Sequence, residues 1–277
     1  MPVYRLRSGI SVPGYPSQLL PGPTARYFPG EDGNRSWCYD VEAGAQQLVP
    51  QGVLEPDSPD VAAMLEHMED VQFLAEGWFD YPADANAKDP FNLGGFSKVQ
   101  PYYTRNAEIY ALRDDVKPFV RSYFNTIPSL LNLENLSFQE HFNGAGAWNK
   151  THETGYFLQQ TRFMLVLERG DELWLAPLVP DQWLRDGQTI EVRNAPTRMG
   201  PVSFRILSSV GSGRIAAHID PPTRTLPRQI VLRLRHPEGK PMRSVKVNGQ
   251  DPAGFDNATA TVRMAPSRGP LDVRVEY

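Results

Sequence analysis

The pattern of apolar residues changes at Gly170, and this change constrains the fold more than any other feature of the chain. Before Gly170, apolar residues recur at the spacing of an α-helix, as they do from Val61 to Ala75. After it, short alternating runs are separated by Gly, Pro and Asn-Gly pairs, which is typical of antiparallel strands. The sequence therefore predicts an α+β protein in which a helical region precedes an antiparallel β-sandwich.

Three regions follow from this pattern. Residues 1–36 are rich in Pro and Gly and lack both the helical and the strand period, so we predict an extended N-terminal arm. Residues 37–168 are predicted to form a domain of helical hairpins, and residues 169–277 the β-sandwich domain.

Four helices are predicted in the helical domain. They cover about residues 59–77, 101–112 and 115–131, and a fourth begins at residue 151. Because the connection between the second and third helices is very short, these two are expected to pack as an antiparallel hairpin. The residues expected to cap the helices are Ser58, Asp114 or Asp115, and Thr151.

Seven strands are predicted after Gly170, with a hairpin turn at Asn248-Gly249. Basic side chains on these strands fall at the outward positions of half-buried strands, among them Arg233 and Arg274. The predicted strands are Gln188–Arg193, Val202–Leu207, Arg214–Ile219, Gln229–Arg235, Ser244–Val247, Ala258–Met264 and Leu271–Tyr277.

Charge and composition exclude several classes of function. A formal net charge of -4 gives no attraction to polyphosphate, so no nucleic-acid partner is predicted. No stretch approaches the roughly 20 apolar residues of a membrane helix, so no membrane association is predicted either. The one cysteine, Cys38, cannot form an internal disulfide, and the cytoplasm is the default location unless the chain is a fragment of a secreted protein.

Several segments near the domain junction resemble a known family. Gly170-Asp171-Glu172-Leu173-Trp174-Leu175, Pro180-Asp181-Gln182-Trp183-Leu184 and Pro196-Thr197-Arg198-Met199-Gly200 resemble the exit from an (α/α)6 toroid into its β domain. Such toroids occur in bacterial six-hairpin glycoside hydrolases of the α-L-rhamnosidase-like kind. Arg233-Leu234-Arg235-His236-Pro237 and Ser244-Val245-Lys246-Val247-Asn248-Gly249 resemble the end strands of the same sandwich, so the resemblance spans about residues 165–277.

The resemblance implies a partial toroid-like helical region, because the predicted helices are fewer than a closed ring of six hairpins contains. It also implies hydrolysis of an oligo- or polysaccharide, a reaction that needs no cofactor. Apolar helix faces left open by an incomplete ring would be covered by self-association, so a homo-oligomer is expected.

Glycosidic cleavage needs two carboxyl groups across the scissile bond, and the loops offer three candidates, Asp80, Glu140 and Glu153. Glu140 and Glu153 lie on either side of a loop rich in glycine, which could bring both carboxylates to one pocket. In the structural alternative, Glu153 neutralises a helix N-terminus, Glu140 pairs with Lys150 or an arginine, and Asp80 forms a turn. Asp40 and Glu42 are more simply explained as helix caps.

Aromatic and polar residues near these carboxylates are candidates for binding substrate. The rings can stack on sugar faces, although aromatic residues at helical spacing are more often core. No metal site is predicted, since neighbouring His and Glu residues such as His152 and Glu153 lack the helical spacing of ligands. The candidate substrate-binding residues are Trp78, Tyr102, Tyr103, His141, Trp148, Lys150 and His152.

Two other functions remain open at the level of sequence. The chain could be a glycan-binding or architectural module without catalytic activity, which self-associates through its exposed helix faces. It could also hydrolyse an ester or amide bond with His141 or His152 as the base. Trp174 and Trp183 at the domain junction are expected to serve packing, and His67, His218 and His236 are expected at the surface or in packing.

Overall fold

The computed structural model describes residues 3–5, 11–13, 47–68, 105–139 and 149–277. The chain divides into two compact units, Met1–Gln160 and Thr161–Tyr277. The domain limits predicted at residues 36 and 168 remain predictions. Near the N-terminus, strand β1 (Val3–Arg5) pairs with strand β2 (Ser11–Pro13) in antiparallel orientation.

The first unit contains helices where the apolar periodicity predicts them. These are α1 (Pro59–Met68), α2 (Asn106–Arg113) and α3 (Val116–Leu130), with α4 (Thr151–Leu165) beginning in this unit and ending in the second. The capping role of Ser58 is confirmed, since its hydroxyl accepts a hydrogen bond from the Val61 amide at 3.3 Å.

Of the other predicted caps, one is at the predicted position without the expected bond, and one is displaced by a residue. Asp115 stands at the N-cap of α3, but its carboxylate makes no capping bond and instead accepts from Arg113 at 2.8 Å. A nearby guanidinium competes with the helix amides for the same carboxylate oxygens. Thr151 is the first helical residue rather than the cap, because the carbonyl of Lys150 accepts from the Thr154 amide at 3.2 Å.

Aromatic rings form part of the core of the first unit. The ring of Tyr123 on α3 stacks on Phe157 of α4 with centroids 4.6 Å apart, and Phe157 lies 4.5 Å from Phe138. Phe138 belongs to a short hairpin of strands β3 (Leu131–Asn132) and β4 (Ser137–Phe138). The fully buried Phe119 continues the stack on α3, so these aromatic residues at helical spacing serve packing.

The second unit is built from two five-stranded sheets. In chain order the strands are β5 (Val166–Arg169), β6 (Glu172–Leu175), β7 (Thr189–Ala195), β8 (Val202–Ser209), β9 (Arg214–Asp220), β10 (Gln229–Arg233), β11 (Ser244–Val247), β12 (Gly254–Asp256), β13 (Thr261–Met264) and β14 (Leu271–Glu276). The first sheet has the order β12-β13-β10-β6-β5 and the second β11-β14-β9-β8-β7. Every pair in the second sheet is antiparallel, whereas β6 and β10 are parallel, so the first sheet is mixed.

Burial alternates along the three central strands of the second sheet, as a sandwich requires. On β14, Leu271, Val273 and Val275 are buried while the residues between them are exposed, and β8 and β9 show the same alternation. All seven predicted strands form, and Asn248 and Gly249 both adopt positive φ in the two-residue turn between Val247 and Gln250. The α+β class with a β-sandwich part is therefore confirmed.

The sequence did not predict β5, β6 and β12. Strand β5 begins at Val166, directly after the last residue of α4, and its first two residues are buried. A continuous apolar run of this kind has no detectable period of two, so it cannot be separated from the end of a helix by pattern alone.

Arg233 departs from the outward, solvated position that its strand predicts. Its side chain is on the face of the first sheet opposite Ile230 and Leu232, yet the residue is only 2% exposed. The guanidinium donates to the carbonyls of Pro177 at 2.8 Å and Thr259 at 3.0 Å. Burial of this charge is tolerated because its donors meet backbone acceptors.

The face that carries Arg233 also carries Trp174, for which a packing role is confirmed at 7% exposure. Its indole nitrogen donates to Glu172 at 3.0 Å, and the Arg169 guanidinium lies 4.3 Å from the ring centroid. Trp183 is half-buried in a short 3-10 helix. None of the helices in the described part of the chain is long and apolar enough to span a membrane.

We predict that Ser208→Ala destabilises the protein more than Ser212→Ala. Both hydroxyls donate to a backbone carbonyl, Ser208 to Leu184 at 2.7 Å and Ser212 to Ser209 at 2.9 Å, but only Ser208 is buried. Loss of the buried bond leaves a carbonyl unsatisfied and should lower the free energy of unfolding by about 1–3 kcal/mol. Ser212→Ala should lower the free energy of unfolding by less than about 0.5 kcal/mol. Urea unfolding measures both values, and equal losses in the two variants would contradict the prediction.

Candidate functional site

Most of the predicted site residues lie outside the described residues and remain predictions. They are Asp80, Glu140, Trp78, Tyr102, Tyr103, His141 and Trp148. Asp40, Glu42 and the side chain of His67 also lie outside them. Three site residues are described, Lys150, His152 and Glu153, and they lie where the chain enters α4.

Glu153 lies in the first turn of α4 and is 0% exposed. A carboxylate that merely neutralises a helix N-terminus is usually solvated, so complete burial sets this residue apart from that interpretation. Its Oε1 lies 3.8 Å from the Nε2 of His152. The two side chains approach each other although they are adjacent on the helix, but this distance is too long for a hydrogen bond.

Lys150 fixes the base of the loop that precedes α4. Its amide donates to the carbonyl of Phe138 at 2.9 Å, and the Gln139 amide donates to the carbonyl of Leu130 at 2.9 Å. The described residues on either side of 140–148 are thus held together by backbone bonds. The half-buried Lys150 contributes to this junction through its backbone, and a role for its ammonium group in binding remains a prediction.

A second buried carboxylate, Glu108, lies on α2 and was not predicted from the sequence. Glu108 is 5% exposed and accepts a hydrogen bond from the Nε of Arg105 at 2.7 Å, while the Nη2 of Arg105 completes an ion pair with it. Arg105 is itself 8% exposed and also donates to Gln47 at 3.0 Å. This is a bidentate pair removed from water, the geometry in which an arginine–carboxylate contact is strong.

Two residues of α4, the helix that carries Glu153, contact the Arg105–Glu108 pair. The guanidinium of Arg105 lies over the ring of Tyr156, 4.7 Å from its centroid. The side-chain amide of Gln159 lies 3.4 Å from the Oε1 of Glu108. Arg105, Glu108, Tyr156 and Gln159 thus form a polar cluster between α2 and α4, and Glu153 lies about one turn before Tyr156 on α4.

Two buried amides add hydrogen-bonding capacity to these helices. Asn106 on α2 and Gln160 on α4 are each 2% exposed. Neither the nitrogen nor the oxygen of the Asn106 amide makes a hydrogen bond with a described residue. The same is true of the side-chain carbonyl oxygen of Gln160. Buried polar atoms in this state are rare in folded proteins and are concentrated where a ligand or water is bound.

Burial raises the pKa of the Glu108 carboxyl above its usual value, against the opposing charge and hydrogen bond of Arg105. Desolvation therefore outweighs the neighbouring cation. The backbone of Arg105 adds a further unusual feature, a φ of 47° in the left-handed region. A residue other than glycine is strained there by roughly 1–2 kcal/mol, and such strain is concentrated at functional sites.

The sequence contains one indication of this cluster, the spacing of Arg105 and Glu108 on a predicted helix. An ion pair at this spacing is usually on the surface, so nothing identified it as buried. Every residue from Asn106 to Ala111 is buried. A helix of eight residues that is covered on all sides has no polar face from which its burial could be predicted.

Outside this cluster, the histidines of the second unit occupy the roles expected of them. His236 is buried with its ring 5.0 Å from that of Tyr277. Burial lowers the pKa of His236. His218 is exposed and contacts Asp272. No group of three or more His, Cys, Asp or Glu side chains in the described segments is arranged to hold a metal ion.

The solved structures similar to this chain include two α-L-rhamnosidases. That of Dictyoglumus thermophilum is 8% identical over 85% of this chain and 25% of its own length, with a TM-score of 0.43. That of Streptomyces avermitilis, complexed with L-rhamnose, is 13% identical over 90% of this chain and 22% of its own length, also with a TM-score of 0.43. A further structure, described as a glycoside hydrolase, is 9% identical over 92% of this chain and 48% of its own length, with a TM-score of 0.36.

The chain thus spans about half or less of the length of these proteins. No family model and no curated protein matches it. At such identities and TM-scores the similarity assigns no activity to this chain.

We predict that Glu108→Gln removes a pH dependence of stability. The folded-state pKa of Glu108 is raised. Its contribution to the free energy of unfolding is therefore full below the usual pKa of 4.5 and is lost as pH rises through the folded-state pKa. The free energy of unfolding should therefore fall less steeply with rising pH, from about pH 4.5 upwards, in the variant than in the parent. Urea unfolding across this range measures the slope, with exposed Glu134→Gln as the control. An identical slope in parent and Glu108→Gln would contradict the prediction.

Proposed function

We propose that this chain is a glycoside hydrolase, or part of one, whose two carboxyl groups are Glu108 and Glu153. The observation that carries the proposal is the pair of buried carboxyl groups on α2 and α4, one of them with a raised pKa. Asp80 and Glu140 remain alternative partners for Glu153. The resemblance of residues 165–277 to six-hairpin glycosidases supports the same reaction class.

Glu108 has the environment of a general acid. Burial raises the pKa of its carboxyl group and so favours the protonated form, which donation of a proton to a leaving oxygen requires. When the proton leaves, the new carboxylate is stabilised by the charge and the two donors of Arg105. Arg105 is therefore a positioning residue that favours the ionised product state without preventing protonation beforehand.

Glu153 would supply the second carboxyl group. In this role it either attacks the anomeric carbon or activates a water molecule, depending on its separation from the acid. The buried amides of Asn106 and Gln160 would then accept and donate hydrogen bonds to sugar hydroxyls. Since Glu153 is fully buried, a substrate meets it only after the covering residues open, and we expect such a step to precede hydrolysis.

A second candidate is an architectural module that binds glycans without cleaving them and self-associates. The complete burial of Glu153 and the bidentate Arg105–Glu108 pair favour it, because both are also typical of structural polar clusters. In this case the cluster orients α2 and α4. Light scattering tests the self-association, and a monomer at high concentration would contradict it.

We predict that Glu108→Gln and Glu153→Gln each lower kcat/KM on oligosaccharides by about 100-fold or more, whereas exposed Glu134→Gln does not. Purified protein would be tested on a panel that includes α-L-rhamnosides. Glu108→Gln should regain turnover on substrates whose leaving group needs no proton, because it lacks only the acid. Glu153→Gln should not regain it.

Unchanged turnover in both variants would remove these residues from the mechanism. If the parent cleaves nothing in the panel and both variants unfold more readily than the parent, the architectural function is the correct one.

A further inference from the structure

The outer face of the second sheet carries a groove that the proposed active site does not use. Two adjoining cavities, of about 800 and 510 Å³, open on this face and share Arg205 and His218 in their linings. The groove runs across the strands from Glu191 on β7 to Lys246 on β11. All of its residues lie within the second unit.

The register of the sheet explains why the surface is depressed here. Ala216 on β9 lies directly between Leu207 on β8 and Arg274 on β14. Its methyl group leaves space between longer neighbours, and the exposed Leu207 gives one wall an apolar surface. The result is a floor with little polarity below a rim of charged side chains.

Two arginines of this groove lack partners within the described chain. Neither Arg205 nor Arg274 makes a side-chain hydrogen bond or ion pair with a described residue, although the charge of Arg205 contributes to lowering the pKa of Glu191. Other basic groups nearby are engaged, since Lys246 pairs with Asp251 at 2.8 Å and Arg193 with Glu191 at 2.8 Å.

The placement of Arg274 is unfavourable for the fold alone. It lies directly opposite Lys246 in the β11–β14 pair. Like charges directly opposite each other destabilise a sheet, and Asp251 offsets only the charge of Lys246. An anionic group bound between them would relieve the repulsion.

Acidic side chains share the groove and limit what can bind there. Asp272 accepts from the Nδ1 of His218 at 2.7 Å, and Glu276 lies two residues beyond Arg274 on the same face of β14. The bond from Asp272 raises the pKa of His218, which adds positive charge near Arg205. Asp220, 3.5 Å from the Nε2 of His218, has the same effect on it.

A ligand for this groove must therefore offer both anionic groups and hydroxyl donors. Free guanidinium groups match carboxylates in bidentate geometry, and the carboxylates of Asp272 and Glu276 accept from hydroxyl groups. The Cα atoms of Arg205 and Arg274 are separated by two strand spacings and two residues along the strand, about 12 Å, so the ligand must be extended. A simple anion satisfies only one of these requirements.

We propose that this groove, centred on Ala216 between Arg205 and Arg274, is a second, non-catalytic binding site for an acidic oligosaccharide bearing uronic acid residues. The two arginines bind its carboxylates, and Asp272 and Glu276 bind its hydroxyls. The site is independent of Glu108 and Glu153, so it does not require that the chain be a hydrolase.

The test is isothermal titration calorimetry of the full chain with tetragalacturonate, with cellotetraose as the neutral ligand of equal length. We expect binding of the acidic ligand alone, weakened by added salt. Arg205→Ala and Arg274→Ala should each weaken it at least about tenfold, and the matching lysine variants less, because lysine keeps the charge without the bidentate fork. Arg185→Ala is the matched control, since Arg185 is an exposed arginine of the second unit outside the groove lining.

A second variant, Ala216→Phe, fills the groove without altering charge and should abolish binding while the thermal midpoint of unfolding is unchanged. Equal binding of cellotetraose, an equal loss in Arg185→Ala, or binding of a sulfated heparin tetrasaccharide in place of tetragalacturonate would each overturn the proposal. No hydrolysis is measured, so a failure here is distinct from a failure of the proposed catalytic function.

Discussion

Glu108 is held inside the helical unit by Arg105, and the arrangement of the residues around it follows from the cost of burying these charges. An ion pair taken out of water is tolerated only when nearly every donor and acceptor is met. Here Gln47 and Gln159 meet further polar atoms, and the ring of Tyr156 covers the face of the guanidinium. The contacts of Tyr156 and Gln159 join α2 to α4, the helix that also carries Glu153.

In the β unit, by contrast, the central strands of the second sheet place apolar side chains on one face and polar side chains on the other. The inner face is aliphatic, with buried residues such as Ile206, Ile215 and Val275. This separation leaves the outer face free of any role in the core. Its charges are therefore set by solubility or by ligands, which is why an unfavourable Arg274–Lys246 pair is informative there.

The predictable parts of the fold are the helices and strands that have one solvent-exposed face. The alternation on β8, β9 and β14 and the capped start of α1 gave correct elements from sequence alone. Elements or residues without solvent exposure were either not predicted or predicted to be at the surface. Strand β5 continues the apolar run of α4, and Arg233 occupies an outward position that is nevertheless covered.

The candidate site was only partly predictable for the same reason. Glu153 was identified because it follows a ring-bearing loop, but its complete burial depends on contacts that are distant in the sequence. Glu108 was missed because a helix buried on all sides gives no polar stripe, and because the spacing of Arg105 and Glu108 is common on surfaces. Desolvation is a property of the assembled unit and is absent from any local pattern.

The backbone bonds from Lys150 to Phe138 and from Gln139 to Leu130 have an evolutionary consequence. They join the ends of segment 140–148 to the β3–β4 hairpin and to α4, so the scaffold does not depend on how long that segment is. Doubling the length of a flexible loop with fixed ends costs only about 0.6 kcal/mol in closure entropy. The described residues on both sides can therefore keep their positions in evolution when the number of residues between them changes.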